Sequence, residues 1–353
     1  MMHNFNAGPS ILPKEVFEEA SRSIVNFNNT GLSILEIGHR TTIFESVLEE
    51  ARSLVKELMG LNSDKHILFL HGGASTQFFQ VPMNLLNENE TGAYLDCGIW
   101  GIKAIKEAKH FGNVEVVASS KDKNYTYIPK DYTIPSTAKY FHYTTNNTIE
   151  GTEVFDIPQT NIPLIADMSS DILSCQMDFN RFGLIYAGAQ KNIGAAGVNL
   201  VIVDTKMLGG IQRKLPSMMD YRLHIENGSM LNTPPVFAIY VCLLTLRWLK
   251  KQGGVAGIEK INKEKAALLY KTIDANPIFT PTVAKEDRSR MNVVFIMKDP
   301  ELEKEFLALC KAENMVGVKG HRTVGGFRVS LYNALPLESV KAFTDLMTSF
   351  ANR

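Results

Sequence analysis

Net charge is the first thing this sequence lacks. Its 37 basic residues are balanced by 37 acidic ones, so no overall field draws nucleic acid or an anionic membrane surface as a partner. Only a local basic cluster can recruit a small anion. Cysteine is scarce too. Cys97, Cys175, Cys242 and Cys310 are scattered, with neither a CxxC pair nor a Cys/His zinc pattern, and no metal site is expected. A disulfide framework does not suit a chain of this length. The first ten residues, MMHNFNAGPS, hold no basic stretch followed by an apolar core, so no secretion signal is expected. The longest apolar stretch, around Val236 to Leu249, is broken by Arg247 and is too short to cross a bilayer. These absences make the cytoplasm the default location. Internal repeats, low-complexity tracts and a GxGxxG after a strand are also missing, and the last of these argues against a dinucleotide-dependent dehydrogenase.

What is present is ample core material, 45% apolar over 353 residues, enough for more than one core, and two domains are expected. Short β-branched or apolar runs alternate with longer helical patterns. Strands are predicted at His66–Leu70, Gly92–Leu95, Val114–Ala118, Ala138–His142, Pro163–Ala166, Leu184–Tyr186 and Asn199–Val203. Helices follow the first two, from about Ser75 and up to about His110. This rhythm predicts an α/β fold with a mostly parallel central sheet, whose ligands bind outside the carboxyl ends of the strands. Long helices are predicted from about Pro235 to Lys251, ending at Gly253-Gly254, and from about Ile258 to Ala275. Beyond them the pattern changes to strand Val293–Met297, helix Leu302–Asn314, strand Phe327–Tyr332 and helix Leu337–Ala351, a smaller α+β domain.

The polar clusters follow predicted strand ends. Gly72-Gly73-Ala74-Ser75 opens a helix, where free N–H groups and the helix dipole make a phosphate cradle; a tight turn with Ser75 as N-cap fits equally. Lys191, in Ala189-Gln190-Lys191-Asn192, sits among small residues past a strand, where partial desolvation can lower its pKa for Schiff-base chemistry; the alternative is a solvent-facing loop lysine. Asp167 ends another strand and can hold the proton of a pyridine nitrogen or simply cap the next turn. The separation of Asp167 and Lys191 leaves room for one crossover, so both can reach one pocket. Trp100, one of 2 tryptophans, can stack on a flat cofactor or fill a core. Thr148 can contact the same ring or belong to an Asn/Gly turn. His39-Arg40, His321-Arg322 and Arg328 suit carboxylate or phosphate. Asn232-Thr233-Pro234-Pro235 reads as a helix start whose side chains can also bind a phosphate.

Taken in order, these segments closely resemble the phosphoserine aminotransferase family. So do Asn6-Ala7-Gly8-Pro9, Gly38-His39-Arg40, Asn147-Thr148-Ile149-Glu150-Gly151, Ala166-Asp167-Met168-Ser169-Ser170, Arg288-Ser289-Arg290-Met291-Asn292 and the run from Gly320 to Arg328. The likeness extends from the first ten residues to the last strand. It implies a class V, fold-type I pyridoxal-5′-phosphate (PLP) transferase acting as a homodimer. The large PLP domain would cover 15–255, and a small domain 1–14 with 256–353. By position, Lys191 would hold PLP covalently, Asp167 would pair with the pyridine nitrogen, Trp100 would stack on the ring and Thr148 would contact it. Ala74, Ser75 and Gln190 would bind its phosphate, joined by Asn232 and Thr233 of the second subunit. Arg328 would take the substrate α-carboxylate, and His39, Arg40, His321 and Arg322 the phosphate, or the side-chain carboxylate of glutamate. The implied substrates are phosphoserine with 2-oxoglutarate, giving phosphohydroxypyruvate and glutamate; 4-phosphohydroxythreonine is a second substrate the same site can accept. Some family members carry Gly-Arg where this chain has Ala74-Ser75, so one positive charge near the anion sites is missing here.

Other readings differ in what they need. A class V cysteine desulfurase requires a reactive cysteine on a mobile loop, which none of the four cysteines resembles. An alanine–glyoxylate aminotransferase has no use for a second His/Arg anion pair. A non-catalytic phosphate-binding protein would not need Lys191, Asp167 and Trp100 together.

Overall fold

A computed structural model describes residues 1–352. The chain runs β1 (His3–Asn4), α1 (Lys14–Val25), α2 (Thr42–Met59), β2 (Lys65–Leu70), α3 (Gly73–Leu85), β3 (Thr91–Asp96), α4 (Ile99–Ala108), β4 (Asn113–Ser119), β5 (Phe141–Thr144), β6 (Asn146–Asn147), β7 (Thr152–Glu153), β8 (Leu164–Asp167), β9 (Phe182–Gly188) and β10 (Asn199–Asp204). It continues through α5 (Tyr221–Glu226), α6 (Val236–Lys251), α7 (Gly254–Ala275), β11 (Phe279–Pro281), β12 (Asn292–Met297), α8 (Leu302–Ala312), β13 (Met315–Val316), β14 (Phe327–Ser330) and α9 (Leu337–Ala351).

Seven strands form one sheet in the order β2-β10-β9-β8-β5-β3-β4. Every neighbouring pair is parallel except those made by β10, which runs antiparallel to β2 and β9. The sheet is thus the mostly parallel one that the β-then-α rhythm predicts. Its central strands are buried on both faces, which is why they read as near-continuous apolar runs. Alternation along each strand sorts side chains into two layers. Phe69, Leu95, Phe141, Tyr143 and Ile185 meet the side of α2 and α6. Leu70, Tyr94, Ile165, Leu184 and Tyr186 meet Phe78, Val81 and Ile105 of α3 and α4. Helix α2 buries Phe44, Val47, Leu48, Ala51, Leu54, Val55 and Met59 at three- and four-residue spacing, and stops at Gly60 in the left-handed conformation.

A separate core gathers on the three-stranded antiparallel sheet β11-β12-β14 with α8, α9 and the second half of α7. Phe279, Phe327, Phe343 and Phe350 ring the fully buried Phe306. Phe5 joins this core because β1 pairs with β13, His3 opposite Met315. Helix α7 belongs to both cores: Val255 and Ile258 pack in the first, Ala266, Leu269 and Ile273 in the second. Buried amides link the two. Asn146 donates to Asn292 Oδ1 (2.8 Å), Asn292 donates to Tyr332 Oη (3.2 Å), and Tyr332 donates to the Ala7 carbonyl (2.8 Å).

Several element bounds differ from expectation. The strand predicted at Ala138–His142 lies at Phe141–Thr144, because residues 138–140 meet β3 only through single backbone bonds from Lys139 and to Tyr140. The helix predicted from about Ile258 starts at Gly254, since Gly253 takes a left-handed turn that lets it follow α6 at once. Helix α8 stops at Ala312, short of Asn314, which is left-handed. The strand predicted to Tyr332 ends at Ser330, where pairing with β12 ends. No helix among the described residues is long and apolar enough to cross a membrane.

Candidate active site

Four strands of the sheet end at one hollow. Trp100 follows β3, Thr148 follows β5, Asp167 closes β8 and Lys191 follows β9. The order β8-β5-β3-β4 reverses the direction of chain progression beside β3, the place where an open α/β sheet leaves a crevice. There a cavity of about 520 Å³ is lined by ten of the predicted residues: Ala74, Ser75, Trp100, Thr148, Asp167, Gln190, Lys191, His321, Arg322 and Arg328. A larger hollow, about 690 Å³, lies between Ile128–Ser136 and Glu153–Ile162, but none of its lining residues has a buried polar atom without a partner. The smaller cavity has three: Trp100 Nε1, Thr144 Oγ1 and Arg328 Nε.

Lys191 is half-buried, and its ammonium donates to Thr148 Oγ1 at 3.0 Å. Burial lowers its pKa to about 8, against the opposing pull of Asp167 and Asp171. The backbone of the lysine loop is pinned from the N-terminal segment. Ser10 donates through its hydroxyl to the Lys191 carbonyl (2.5 Å) and through its N–H to the Gln190 carbonyl (2.9 Å). Gly8 lies against the Lys191 stem, 3.6 Å from where a Cβ would sit to Cγ.

Asp167 is buried, and burial raises its pKa above the usual carboxylate range. Both hydrogen bonds to its carboxylate fall on Oδ1, from the Ser169 N–H (3.0 Å) and hydroxyl (2.6 Å). Ser169 in turn accepts from the Gly188 N–H at 3.1 Å, one strand away. Opposite, α3 begins with no side-chain cap, so the N–H groups of its first turn face the cavity unclaimed. Gly72 has φ of +89°, and a Cβ there would sit 1.9 Å from Thr76 Oγ1, so only glycine makes this turn.

The cationic wall comes from the C-terminal segment. Arg328, on β14, is half-buried and reaches the Thr148 carbonyl at 3.5 Å. His321 bonds Thr323 Oγ1 through Nδ1 (2.7 Å); burial, then Arg328, Arg322 and Lys103, lower its pKa. The other predicted residues do not line the cavity. His39 and Arg40 lie on the loop before α2, joined to each other at 3.3 Å. Asn232 and Thr233 precede α6, where the Thr233 carbonyl bonds His71 Nε2 at 2.9 Å.

Three contributors escape sequence reasoning. Ser169 holds Asp167, and its signal is the Asp-x-Ser spacing of a local turn. Lys103 lines the cavity with its ammonium 4.3 Å from the Trp100 centroid, and the signal is a three-residue helical step from that indole. Glu150 is buried and accepts from the Ile99 N–H (2.9 Å), tying the Thr148 turn to the start of α4. A buried acid bonded to a helix N-terminus has no signature in spacing.

The cavity fits a flat, phosphorylated heterocycle. It offers an amine, a buried acid, an aromatic face and an uncapped helix N-terminus around a hollow with unpartnered donors.

Comparison with known proteins agrees. The family described as Aminotransferase class-V matches residues 2–343. A phosphoserine aminotransferase of Flavobacterium johnsoniae is 56% identical over 352 residues, 99% of each chain. The solved phosphoserine aminotransferase of Bacillus circulans subsp. alkalophilus is 44% identical, with a TM-score of 0.97 over 100% of this chain and 99% of that one. That of Trichomonas vaginalis, solved with PLP bound, is 37% identical with a TM-score of 0.94, covering 99% and 100%.

Proposed function

The chain belongs to the class-V aminotransferases, and on that premise we propose that it exchanges the amino group of O-phospho-L-serine with 2-oxoglutarate. The products are 3-phosphohydroxypyruvate and L-glutamate, and PLP is the cofactor. The observation that carries this reading is the sharing of one cavity by Lys191, Asp167, the imidazole of His321 and the cations Arg322 and Arg328.

When bound, PLP supplies an electron sink for the carbanion left by loss of the Cα proton. The chain supplies the rest. Lys191 would hold the cofactor through Nζ and would carry the substrate Cα proton. Its lowered pKa keeps a useful fraction of free amine near neutral pH. Asp167, held rigid through Oδ1 by Ser169, would pair with the ring nitrogen and keep it protonated. The first turn of α3, with Ala74 and Ser75, and Gln190 would hold the cofactor phosphate, and Trp100 would cover the ring. Arg328 would orient the α-carboxylate, and His321 and Arg322 the substrate phosphate. The same phosphate grip would accept 4-phosphohydroxythreonine.

The desulfurase alternative lacks a nucleophile. All four cysteines are buried, and burial pushes each thiol up to about 12.

A homodimer is part of the same proposal, as is division into bodies 15–255 and 1–14 with 256–353. Phe17, Val25, Leu32 and Leu35 are exposed apolar residues on the segment that carries His39 and Arg40, so a second copy covering that face would bring these two to a cavity they do not line in their own chain. Asn232 and Thr233 would cross with them. Light scattering of the purified protein checks it: a dimer supports the proposal and a monomer at working concentration removes it.

The reaction itself is tested by adding O-phospho-L-serine to the holoenzyme and following cofactor absorbance, then adding 2-oxoglutarate. A spectral change that reverses is expected; no response to phosphoserine with a full response to alanine would move the substrate elsewhere. Two variants separate the anion roles. Arg328→Ala raises KM for every amino acid substrate, by about tenfold or more as expected for a charge-assisted carboxylate bond. His321→Ala acts mainly on phosphorylated substrates. Steady-state kinetics with phosphoserine and glutamate read both, and equal losses across substrates in both variants contradict the assignments.

A further inference from the structure

Resting on the reading just given, we propose that Lys103 is a further anion-recognising residue of this cavity, one that favours a phosphorylated substrate over one carrying only carboxylates. Lys103 stands on α4 three residues after Trp100, so both side chains rise from one face of the helix. Its ammonium lies 4.3 Å from the indole centroid, nearer than the Lys191 ammonium at 5.5 Å. The aromatic face is attractive to a cation and holds this one at the wall of the cavity. From there Lys103 joins Arg328 and Arg322 in lowering the pKa of His321, so three cations and this imidazole face a common space.

Among the described residues, none of Lys103, Arg322 and Arg328 forms an ion pair with a carboxylate. Other lysines of the chain do: Lys65 pairs with Asp204 and Lys139 with Glu90. Glu150 acts on Arg328 from a distance and Asp167 lines the same cavity, but cations gathered without a directly paired carboxylate repel one another, and an anionic ligand relieves that repulsion. A phosphate ester, with a charge of about −1.5 to −2 at pH 7 and three acceptor oxygens, gains more from each added cation than a carboxylate does. Lys103 is exposed, so its contribution is moderate and falls with ionic strength.

The test compares Lys103→Met, which keeps the stem and removes the charge, with Lys103→Arg, which restores it. In the holoenzyme, the half-reactions with O-phospho-L-serine and L-glutamate are followed separately, and inorganic phosphate is titrated as a competitor of glutamate. Lys103→Met lowers kcat/KM for phosphoserine about tenfold, equivalent to about 1.4 kcal/mol. Its loss with glutamate is about threefold or less, and the phosphate inhibition constant rises about tenfold. Lys103→Arg stays within about threefold of wild type, and added salt narrows the gap between wild type and Lys103→Met. Equal losses for both substrates, or a Lys103→Arg variant as impaired as Lys103→Met, overturn the assignment. Wild-type enzyme inert toward phosphoserine would instead sink the parent reading. The phosphate constant then still judges Lys103, because an unchanged value in Lys103→Met removes its anion role by itself.

Discussion

Lys191→Ala leaves less than about one part in 10⁴ of wild-type turnover, because in the proposed reaction one amine would perform two tasks, covalent retention of the cofactor and transfer of the Cα proton. The structure gives the replacement nothing to take over. The nearest partner of the Lys191 ammonium is the Thr148 hydroxyl at 3.0 Å, which is no base at neutral pH, and the Lys103 ammonium stands beside Trp100 as an exposed group. Single-turnover absorbance with phosphoserine measures the residual rate, and retention of even a hundredth of it would sink the role. The same amine imposes a pH dependence. Burial favours its neutral form, so the proton leaves near pH 8 rather than above 10. Below about 8 the ammonium form dominates and cannot attack an aldehyde. The rate at which apoprotein takes up PLP therefore climbs with pH and flattens above about 8. A rate still climbing steeply at pH 9.5 would describe an ordinary solvated lysine.

Asp167→Asn lowers kcat by roughly 10²- to 10³-fold, the loss typical of removing one fixed electrostatic group, while the protein still binds cofactor. Asparagine matches the carboxylate in shape, so Ser169 keeps a partner and the end of β8 stays in place. What disappears is the negative charge that, in the proposed function, would hold a proton on a ring nitrogen. Asp167 is 4% exposed, so no water replaces that charge. Kinetics at saturating substrate, with cofactor occupancy read from absorbance, separate this from loss of binding. A variant with more than a third of the wild-type kcat would mean that Asp167 only caps the turn at Ser169.

Much of this site is legible in the amino-acid sequence, because its residues sit where chain pattern is strongest. Asp167, Lys191 and Ser75 each follow an apolar run bounded by small residues, and parallel sheets gather strand ends whatever the crossovers look like. Strand direction is another matter. Asn199–Asp204 alternates like its neighbours, and nothing in that alternation says it runs the other way. The helices α1 and α2 carry no chemical motif and lie outside the sequence expectations, although the spacing from Phe44 to Met59 marks a helix. Lys103 looks in sequence like one more solvated lysine on a helix, and only its place beside Trp100 distinguishes it. His39-Arg40 shows the reverse: the motif is plain, but its own chain's cavity lies elsewhere. Pairing of His3 with Met315 depends on two residues at each end, too few to leave a pattern.

That pairing bears on how the protein is made. Residues made before the sheet, Ala7 to Ser10, brace the Gln190-Lys191 loop, yet Ala7 is itself held by Tyr332, 325 residues further on. Phe5 likewise finds its core only among the segments from Ala266 onward. A nascent chain that has completed the seven-stranded sheet therefore still holds an unbraced lysine loop, with Arg328 not yet translated. Capture of the cofactor in its working geometry then waits until Arg328 and Tyr332 have been made, the late fastening of a seam that runs across distant segments.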